Sequence, residues 1–475
     1  MKNRSIFIVL FGIIPFNIYA QNTDTIKAST LVFNIPVVDL PYQLDAAKTV
    51  NENKITIKSF LKGYANPSMH QSLDLSTDLY TAAHFGIKKI FNINSKTDFT
   101  DGRNLGKYIL YFLSLVGSDV VLVYTPGFNG WEHEEFHRAV MTRFQVNSFN
   151  DINNFPIGAG SANVSHVKDD DLIKFKKESP KDFIRMPAAG IEGEYMLIEK
   201  LQRNNFFYNQ NLPHQVLYLL STYHAIDYVR FCSQPKALNG VTDYFNSNEK
   251  TIKVRDFTGM DFSGWVYDLF KPNEPYAARG IHPSGIGIDR YIRASDLTSI
   301  ELAYLKKQGD LQWLNAISPM LVGFKSIKLS KNELSGNFSI RNYLTSFGND
   351  ISCNIYLMNP NYKFIFVYHS YQNYNKSFPA IETQLIDFEK SIYNKSVYFS
   401  PRLILGMQPF NQDFKTKKSD FLGLVACKFE IKMNSFIHPF IELSVKSKGW
   451  IAGNEFLNSN TSCRFGIVSK FKTVK

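Results

Sequence analysis

The sequence predicts an α+β protein in which a mostly helical N-terminal part precedes an antiparallel β meander, for which a small barrel is favoured over a soluble β-sandwich. Apolar residues before about residue 320 recur at helical spacing, whereas those after it alternate with polar residues, as in 428–433 and 440–447. Turn-forming stretches separate the alternating segments. Aromatic residues make up 15% of the 475 residues, a proportion that suits sheets and membrane interfaces.

The first twenty residues have the pattern of a secretory signal peptide. Lys2 and Arg4 precede an apolar run from Ile6 to about Ile14, and small and polar residues follow near Ala20. The alternative is a short buried helix. Cleavage after Ala20 would place the mature chain outside the cytoplasm, so we expect it in the cell envelope, in the outer membrane or the periplasm.

The rest of the chain divides into an N-terminal extension (21–74), a helical domain (75–320) and a barrel-like domain (321–475). Helices are expected over 76–93, 105–127, from Asn129 onward, 187–203, 212–231 and 295–314. The segment 105–127 is apolar enough to approach the length of a membrane span. We expect it to be a buried core helix instead, because Asp119 would be costly in lipid.

The net charge limits the class of partner, and the cysteine spacing limits the type of metal site. The formal net charge is +11. In an exported chain this argues against a nucleic-acid partner and favours a membrane surface or an acidic partner. None of the 4 cysteines lies in a CxxC pair, so a cysteine metal site is not expected, and any disulfide connectivity stays open.

The segment NGWEHEEFHRAVM contains His-Glu-Glu-Phe-His at 133–137. Helical residues four apart share a face, so His133 and His137 can bind one ion, and two neutral imidazoles suit Zn²⁺. Glu134 can then take a proton from the water that the ion activates. The alternative is a polar helix face with two histidines.

A third zinc ligand is expected on a later helix that carries the segment AAGIEGEY. Glu192 is the first choice, because Ala188 and Ala189 would let this helix approach the histidines closely. Glu194 is the second choice, and His166 with the acidic run that follows it is the third.

A metallohydrolase also needs a donor to the oxyanion that forms when water adds to a carbonyl. His224, on the helix predicted over 212–231, is the candidate for this catalytic role, with Tyr223 and Tyr228 as alternatives. A histidine that is simply packed in the helix is the competing interpretation.

The motif HEEFH and, about 55 residues later, AGIEGEY resemble the gluzincin metallopeptidases. Among them the chain looks most like the CAAX-prenyl and heat-shock-type membrane proteases, over about residues 75–235. The resemblance implies that Glu192 is the third zinc ligand and that Glu194 is the second glutamate of the family's helix. Tyr195 and Met196 stand where that family has Ala-Asp.

Two functions follow from these observations. The first is an exported, envelope-associated zinc metallopeptidase that hydrolyses a protein or peptide substrate, with Glu134 as general base and the membrane as a partner. The second is a non-enzymatic outer-membrane barrel protein whose helical periplasmic domain serves assembly or transport. The sequence has no Gly-x-Ser-x-Gly elbow, and 283–292 is not followed by a phosphate-binding loop pattern.

Overall fold

The structure, a computed structural model, describes residues 29–50, 54–92, 102–156, 162–330 and 333–473. The predicted signal peptide lies outside these residues. The fold is α+β, as the sequence predicts, with eleven α-helices before residue 320 and a large antiparallel sheet of eleven strands in the described part of the chain.

The helices occupy most of the first 320 residues. They are α1 (Tyr42–Thr49), α2 (Ile57–Lys62), α3 (Met69–Phe91), α4 (Gly102–Leu122), α5 (Asn129–Arg143), α6 (Asp169–Glu178), α7 (Pro180–Phe207), α8 (Gln215–Cys232), α9 (Pro235–Asn248), α10 (Asp261–Phe270) and α11 (Ser299–Leu311).

Two helices start seven residues earlier than the sequence predicts, and local chemistry explains both. Helix α3 begins at Met69 because Ser68 and Gln71 form a capping box ahead of the predicted start. Helix α7 begins at Pro180, and Pro187, the predicted start, lies inside it. A proline at the first helical position loses no hydrogen bond, so either proline could have opened the helix.

The strands are β1 (Ser29–Leu40), β2 (Phe149–Asn150), β3 (Val164–Ser165), β4 (Ile327–Lys328), β5 (Ser335–Thr345), β6 (Gly348–Met358), β7 (Lys363–Gln372), β8 (Ser377–Leu385), β9 (Phe388–Ile392), β10 (Lys395–Pro409), β11 (Ser419–Ile431), β12 (Ile437–Lys446) and β13 (Asn460–Thr473). Strands β2 and β3 form a small separate sheet. The large sheet has the order β1-β13-β12-β11-β10-β8-β7-β6-β5-β4, with β9 paired to β10. Strand β1 therefore joins the C-terminal sheet, although it comes from the predicted N-terminal extension.

The large sheet is an antiparallel meander, as predicted, but it does not close into a barrel. Helix α3 covers the edge at β1, where the Asn34 N–H donates to Asp78 Oδ1 (3.1 Å). At the other edge, the Ile340 N–H of β5 donates to the Ile317 carbonyl (2.9 Å). Helical and irregular segments thus bind edge groups that strand pairing would satisfy in a closed barrel.

The two faces of the large sheet have opposite chemistry. The concave face carries buried charges that are paired, such as Arg402, which donates to both oxygens of Glu382 (2.8 and 2.9 Å). A cavity of about 290 Å³ lies against this face. The opposite face exposes apolar side chains, which we call the apolar belt. Its exposed members are Ile35, Phe338, Ile355, Tyr368, Ile381, Leu403, Leu405, Val425, Ile441, Leu443, Val445 and Phe465.

Helix α7 joins the helical part of the chain to the sheet. Its second half lies against the concave face, where Arg341 Nη2 of β5 donates to Gln202 Oε1 (2.7 Å). Its first half packs on α5 so closely that a β-carbon added at Gly193 would come within 2.9 Å of the Phe136 ring. A single hydrophobic core contains residues of α5, α7, α10 and the sheet. The fold therefore fixes α5 and α10 relative to α7.

Helix α4 is long and apolar enough to cross a membrane, judged by length and composition alone. The stretch Asn104–Leu122 has 19 residues and a mean hydropathy of 1.5, and 17% of its apolar window is buried. The expectation of a buried core helix is therefore wrong. Asp119 is itself buried, because it faces α3, where its Oδ1 lies 2.6 Å from His84 Nε2.

All four cysteines, Cys232, Cys353, Cys427 and Cys463, are free in the structure. The first is buried in the helical part, and the other three are half-buried on β6, β11 and β13. The sheet therefore depends on hydrogen bonds and packing rather than on covalent cross-links.

Candidate metal centre

Helix α5 places the two histidines of the HEEFH motif inside the protein. His133 and His137 are both buried, and their ring centroids lie 4.8 Å apart. The spacing of four residues puts both rings on one side of the helix. That side faces α7 and the first turn of α10, so the polar surface-helix interpretation does not apply.

Asp261, the first residue of α10, brings a carboxylate to the two rings. Its Oδ2 lies 3.2 Å from His133 Nε2 and 3.5 Å from His137 Nε2. Asp261 is also buried, and the three ligand atoms lie within 4.8 Å of one another. These three residues form a group that could hold a metal ion, and we call it the His-His-Asp centre.

The distances suit a small divalent ion. Zinc binds imidazole nitrogen and carboxylate oxygen at about 2.0–2.2 Å, so two ligands at tetrahedral angles lie about 3.4 Å apart. The two measured nitrogen–oxygen distances fall on either side of this value. His137 Nε2 is buried and has no hydrogen-bond partner among the described residues. A bound ion would satisfy that nitrogen, which is otherwise costly to bury.

Gly190 of α7 leaves space for such an ion. A β-carbon at this position would come within 2.5 Å of His137 Nε2 and closer still to His133 Nε2. A metal ion bound by two imidazoles lies at about 2.0–2.1 Å from each nitrogen. The missing side chain therefore leaves open roughly the volume that an ion shared by both rings would occupy.

The second nitrogen of each ring has a partner that fixes its orientation. His133 Nδ1 donates to Glu194 Oε1 (2.7 Å) and His137 Nδ1 donates to the Met186 carbonyl (2.6 Å), both on α7. In a neutral ring that donates from Nδ1, the Nε2 lone pair is available to an ion in the space beside Gly190. His133 Nε2 also lies within hydrogen-bonding distance of Asp261 Oδ2 (3.2 Å). Carboxylate and carbonyl partners of this kind orient metal-binding histidines and raise their basicity.

The electrostatics keep the two acids next to the rings ionised. Burial favours a higher pKa for Glu194, but the hydrogen bond from His133 and the nearby His224 imidazole outweigh it and hold the pKa at about 2. Burial also opposes ionisation of Asp261, yet the charge of His137 and the hydrogen bond from His133 hold its pKa below the usual range. Both groups are thus negatively charged beside the rings, as a cation site requires.

Glu134, the predicted general base, lies beside the centre without belonging to the ligand group. It is almost fully buried, and desolvation raises the pKa of its carboxyl to about 8; the charge of His133 opposes this shift and the charge of Asp261 adds to it. Glu135, the next residue in the motif, is held by Arg138 (2.6 Å) and Asn150 (2.9 Å). Of the two adjacent glutamates, Glu134 is the one close to the centre that no structural ion pair holds.

The structure places Glu192 away from the histidines, in contrast to the sequence expectation. Its Oε1 accepts from Arg185 Nη2 (2.9 Å) and from the Gly453 N–H (2.7 Å), and Trp450 Nε1 donates to its Oε2 (3.3 Å). Glu192 therefore ties α7 to the loop between β12 and β13. The ligand that the gluzincin resemblance implies is not at the centre in this chain.

The other predicted residues have different positions. Glu194, the second choice for ligand, binds His133 Nδ1 on the side away from the ion space. His166 lies beside Ser165 (2.7 Å), and Asp169 pairs with Arg290 (2.7 Å), so neither reaches the rings.

His224, the predicted catalytic donor, lies at the edge of the site. Its side chain is 57% exposed, and its Nδ1 lies 3.5 Å from Glu194 Oε2. Tyr228 lies deeper, where its hydroxyl accepts from the Asp261 N–H (3.2 Å) and its ring centroid is 6.3 Å from that of His133. Both candidates therefore stand on the α8 side of the centre.

Sequence reasoning missed Asp261. It lies at the start of an apolar helix, DFSGWVYDLF, where an acid is common because it favours the helix N-terminus. Nothing local distinguishes a ligand from such a residue. The nearby Gly259, whose φ of 75° requires a residue without a side-chain clash, marks the turn that aims α10 at α5.

Comparison with known proteins gives no further assignment. No protein-family model matches the chain, and no match was found among curated proteins or among solved structures. The functional argument therefore rests on the geometry of the His-His-Asp centre.

Proposed function

We propose that the chain is a zinc-dependent metallohydrolase whose ligands are His133, His137 and Asp261. One observation carries the proposal: three buried ligand atoms surround a space of ionic size that Gly190 leaves open. Three protein ligands with one position left for water or substrate is the usual arrangement of catalytic zinc, whereas structural zinc sites have four protein ligands.

The residues around the centre have the properties that such a hydrolase needs. When bound, zinc would polarise a carbonyl group and acidify water. Glu134 would accept the proton of the attacking water and pass it to the leaving group. Its position next to the ligand His133 on α5, buried at the centre, supports this role. Glu194 would hold the His133 ring, and His224 or Tyr228 would donate to the oxyanion that develops on the substrate.

A peptide bond is the proposed target, because the order His-Glu-x-x-His is the arrangement that metallopeptidases use to place base and ligands on one helix. We further propose that the chain acts in the cell envelope after its signal peptide is removed. The basic composition, with a net charge of +11, supports work near a membrane surface.

A second candidate function is a non-enzymatic membrane component in which the ion is structural. The apolar belt favours this candidate, because it forms a large surface on the part of the chain that does not carry the centre. The two candidates differ in what they require of Glu134, which a structural ion does not need.

Metal analysis of the purified full-length chain tests the proposal. We expect about one zinc per chain in the wild type and in Glu134→Gln, and a loss of zinc in His133→Ala and Asp261→Ala. Hydrolysis of a fluorescently labelled casein should disappear in Glu134→Gln while its zinc remains. Glu192→Gln is the matched control, because it alters a buried acid on α7 outside the centre.

Two results would contradict the proposal. Retention of zinc by Asp261→Ala together with its loss from Glu192→Gln would restore the glutamate as ligand. Zinc that binds stoichiometrically but supports no Glu134-dependent hydrolysis of peptides, esters or amides would favour the structural role.

A further inference from the structure

The apolar belt is continuous across the strands of the large sheet. Val425 of β11 pairs with Val445 of β12 on one side and with Leu403 of β10 on the other. Farther along β12, Ile441 pairs with Phe465 of β13. The side chains of Val425 and Val445 are 62% and 58% exposed. These are large apolar groups that no described part of the chain covers.

The polarity of the sheet is the reverse of that expected for a sheet in water. An antiparallel sheet with one face in water turns its apolar face to the core and its polar face outward. Here the concave face holds ion pairs, among them Arg402 with Glu382 and Lys470 with Glu430 (2.6 Å). The convex face holds the belt. Apolar outward and polar inward alternation is the pattern of strands that contact lipid.

We infer that the apolar belt lies in the hydrocarbon of a lipid bilayer. Three further features of the sheet identify lipid, rather than a second protein, as the occupant of this surface. They are the curvature of the sheet, the charge at its two ends and the covering of its edge at β1. The inference does not use the metal centre and stands whether or not that centre is catalytic.

Curvature makes a single protein partner a poor fit. One cavity is lined by residues from strands far apart in the sheet order, such as Asn34 of β1 and Ser352 of β6. The sheet therefore bends around α7, and its convex face points in many directions. A fluid hydrocarbon covers such a surface on all sides, whereas one docked protein covers only the part that faces it.

Length and end composition also match a bilayer. A membrane strand needs about 9–11 residues, and β10, β11 and β12 have 15, 13 and 10. The connection 413–418 between β10 and β11 carries three exposed lysines, and exposed Phe410 lies next to it. At the opposite end, Tyr393 is exposed in the connection from β9 to β10, and Lys395 is exposed at the start of β10. Aromatic rings and lysines at both ends suit the headgroup regions.

Helices cover the edge of the sheet at β1. Unpaired strand edges are not tolerated in hydrocarbon. Helix α3 runs along β1, with Ser68 Oγ donating to Asp39 Oδ2 (2.6 Å) near one end and Asn34 N–H donating to Asp78 farther along. Helix α4 packs on α3 and exposes its own apolar side chains, including Leu110 and Leu113. Helices α3 and α4 thus cover the edge where a closed barrel would have another strand.

If the apolar belt lies in the bilayer, the metal centre lies beside one surface of the membrane. Helix α10, which begins with the ligand Asp261, is fixed to the turn between β5 and β6, because Trp265 Nε1 donates to the Thr345 carbonyl (3.0 Å). That turn is at the same end of the sheet as the lysine-rich connection 413–418, since α10 also contacts Phe414 through Phe270.

Site-directed spin labelling of the full chain in phosphatidylcholine vesicles that contain some phosphatidylglycerol tests the inference. Cys353, Cys427 and Cys463 are first replaced by alanine, and a nitroxide is attached at Val425→Cys or, as a matched control, at Tyr393→Cys. We expect the label at 425 to collide more with oxygen than with a water-soluble nickel complex, and the control to show the reverse order. Equal access of the nickel complex to both labels would overturn the inference.

Vesicle flotation of the unmodified chain is a second test, which does not depend on whether a labelled variant folds. We expect the chain to float with the vesicles in high salt and at alkaline pH, because hydrocarbon contact does not depend on charge. A chain that stays in buffer without detergent, as a monomer or as a dimer, would overturn the inference, and the dimer would identify a second copy as the occupant of the belt.

Discussion

Replacement of Gly190 by alanine tests the metal centre most directly, because it changes the space for the ion without replacing any ligand residue. The added methyl carbon would lie within 2.5 Å of His137 Nε2, whereas carbon and nitrogen in ordinary contact are about 3.4 Å or more apart. The ring or helix α7 must therefore shift by about 1 Å. The methyl group would occupy the position of the ion.

The expected stability change separates this effect from simple overpacking. An extra methylene in a packed core costs about 1–3 kcal/mol, and the gain in helix propensity from Gly to Ala returns about 1 kcal/mol. The metal-free Gly190→Ala chain should thus lose at most about 2 kcal/mol. The stabilisation by zinc, about 2.7 kcal/mol at a hundred times its dissociation constant, should disappear.

Thermal unfolding with added zinc and with EDTA measures both quantities. The wild type should lose Tm on addition of EDTA, and Gly190→Ala should unfold at the same temperature under both conditions. Gly193→Ala is the matched control, since its methyl group meets the Phe136 ring at 2.9 Å and no ligand nitrogen. A Gly190→Ala chain that binds zinc like the wild type would refute the assignment of the ion space, as would equal loss of the zinc response in both variants.

Three other outcomes follow from contacts in the structure. Glu194→Gln should weaken zinc binding about 10–100-fold in a competition titration with a chelator, because the His133 ring loses its carboxylate partner, and unchanged affinity would mean that Glu194 does not orient the ring. Arg185→Met should cost about 3–5 kcal/mol in urea unfolding, because it leaves Glu192 buried without its ion pair; adding Glu192→Met should recover much of that loss, and a purely additive double variant would argue against the pair. Val425→Arg should destabilise the vesicle-bound chain by about 2–4 kcal/mol, and a neutral effect would place that position outside the hydrocarbon.

The sequence could predict those parts of the centre that depend on local geometry. His133 and His137 share a face because any α-helix brings residues four apart together. Asp261 reaches them only through the packing of α10 on α5 and α7, which no local pattern encodes. The choice of Glu192 failed for a similar reason. Arg185, seven residues earlier on the same helix, and the loop at Gly453 bind its carboxylate, and both contacts depend on the tertiary fold.

The same division applies to the fold. Alternation with a period of two predicted the strands after residue 320, and the structure confirms the meander. The failure to close depends on a segment that sequence reasoning treated as an extension, because Ser29–Leu40 pairs with the last strand and then meets α3 rather than another strand. The expectation that α4 is a buried core helix was also wrong. Its single acid, Asp119, is buried against His84 of α3, so the rest of the helix need not be covered.

The pairing of β1 with β13 has a consequence for biosynthesis. Ser29 is matched with Thr473, so the first described strand obtains its hydrogen-bonding neighbour only when the last one has been made. Pairing of β1 must therefore wait until the chain has been synthesised as far as β13, whereas the strands between them can pair earlier. Contacts so distant in sequence slow folding. A nascent chain of this protein needs protection from aggregation for longer than one whose strands pair in the order of synthesis.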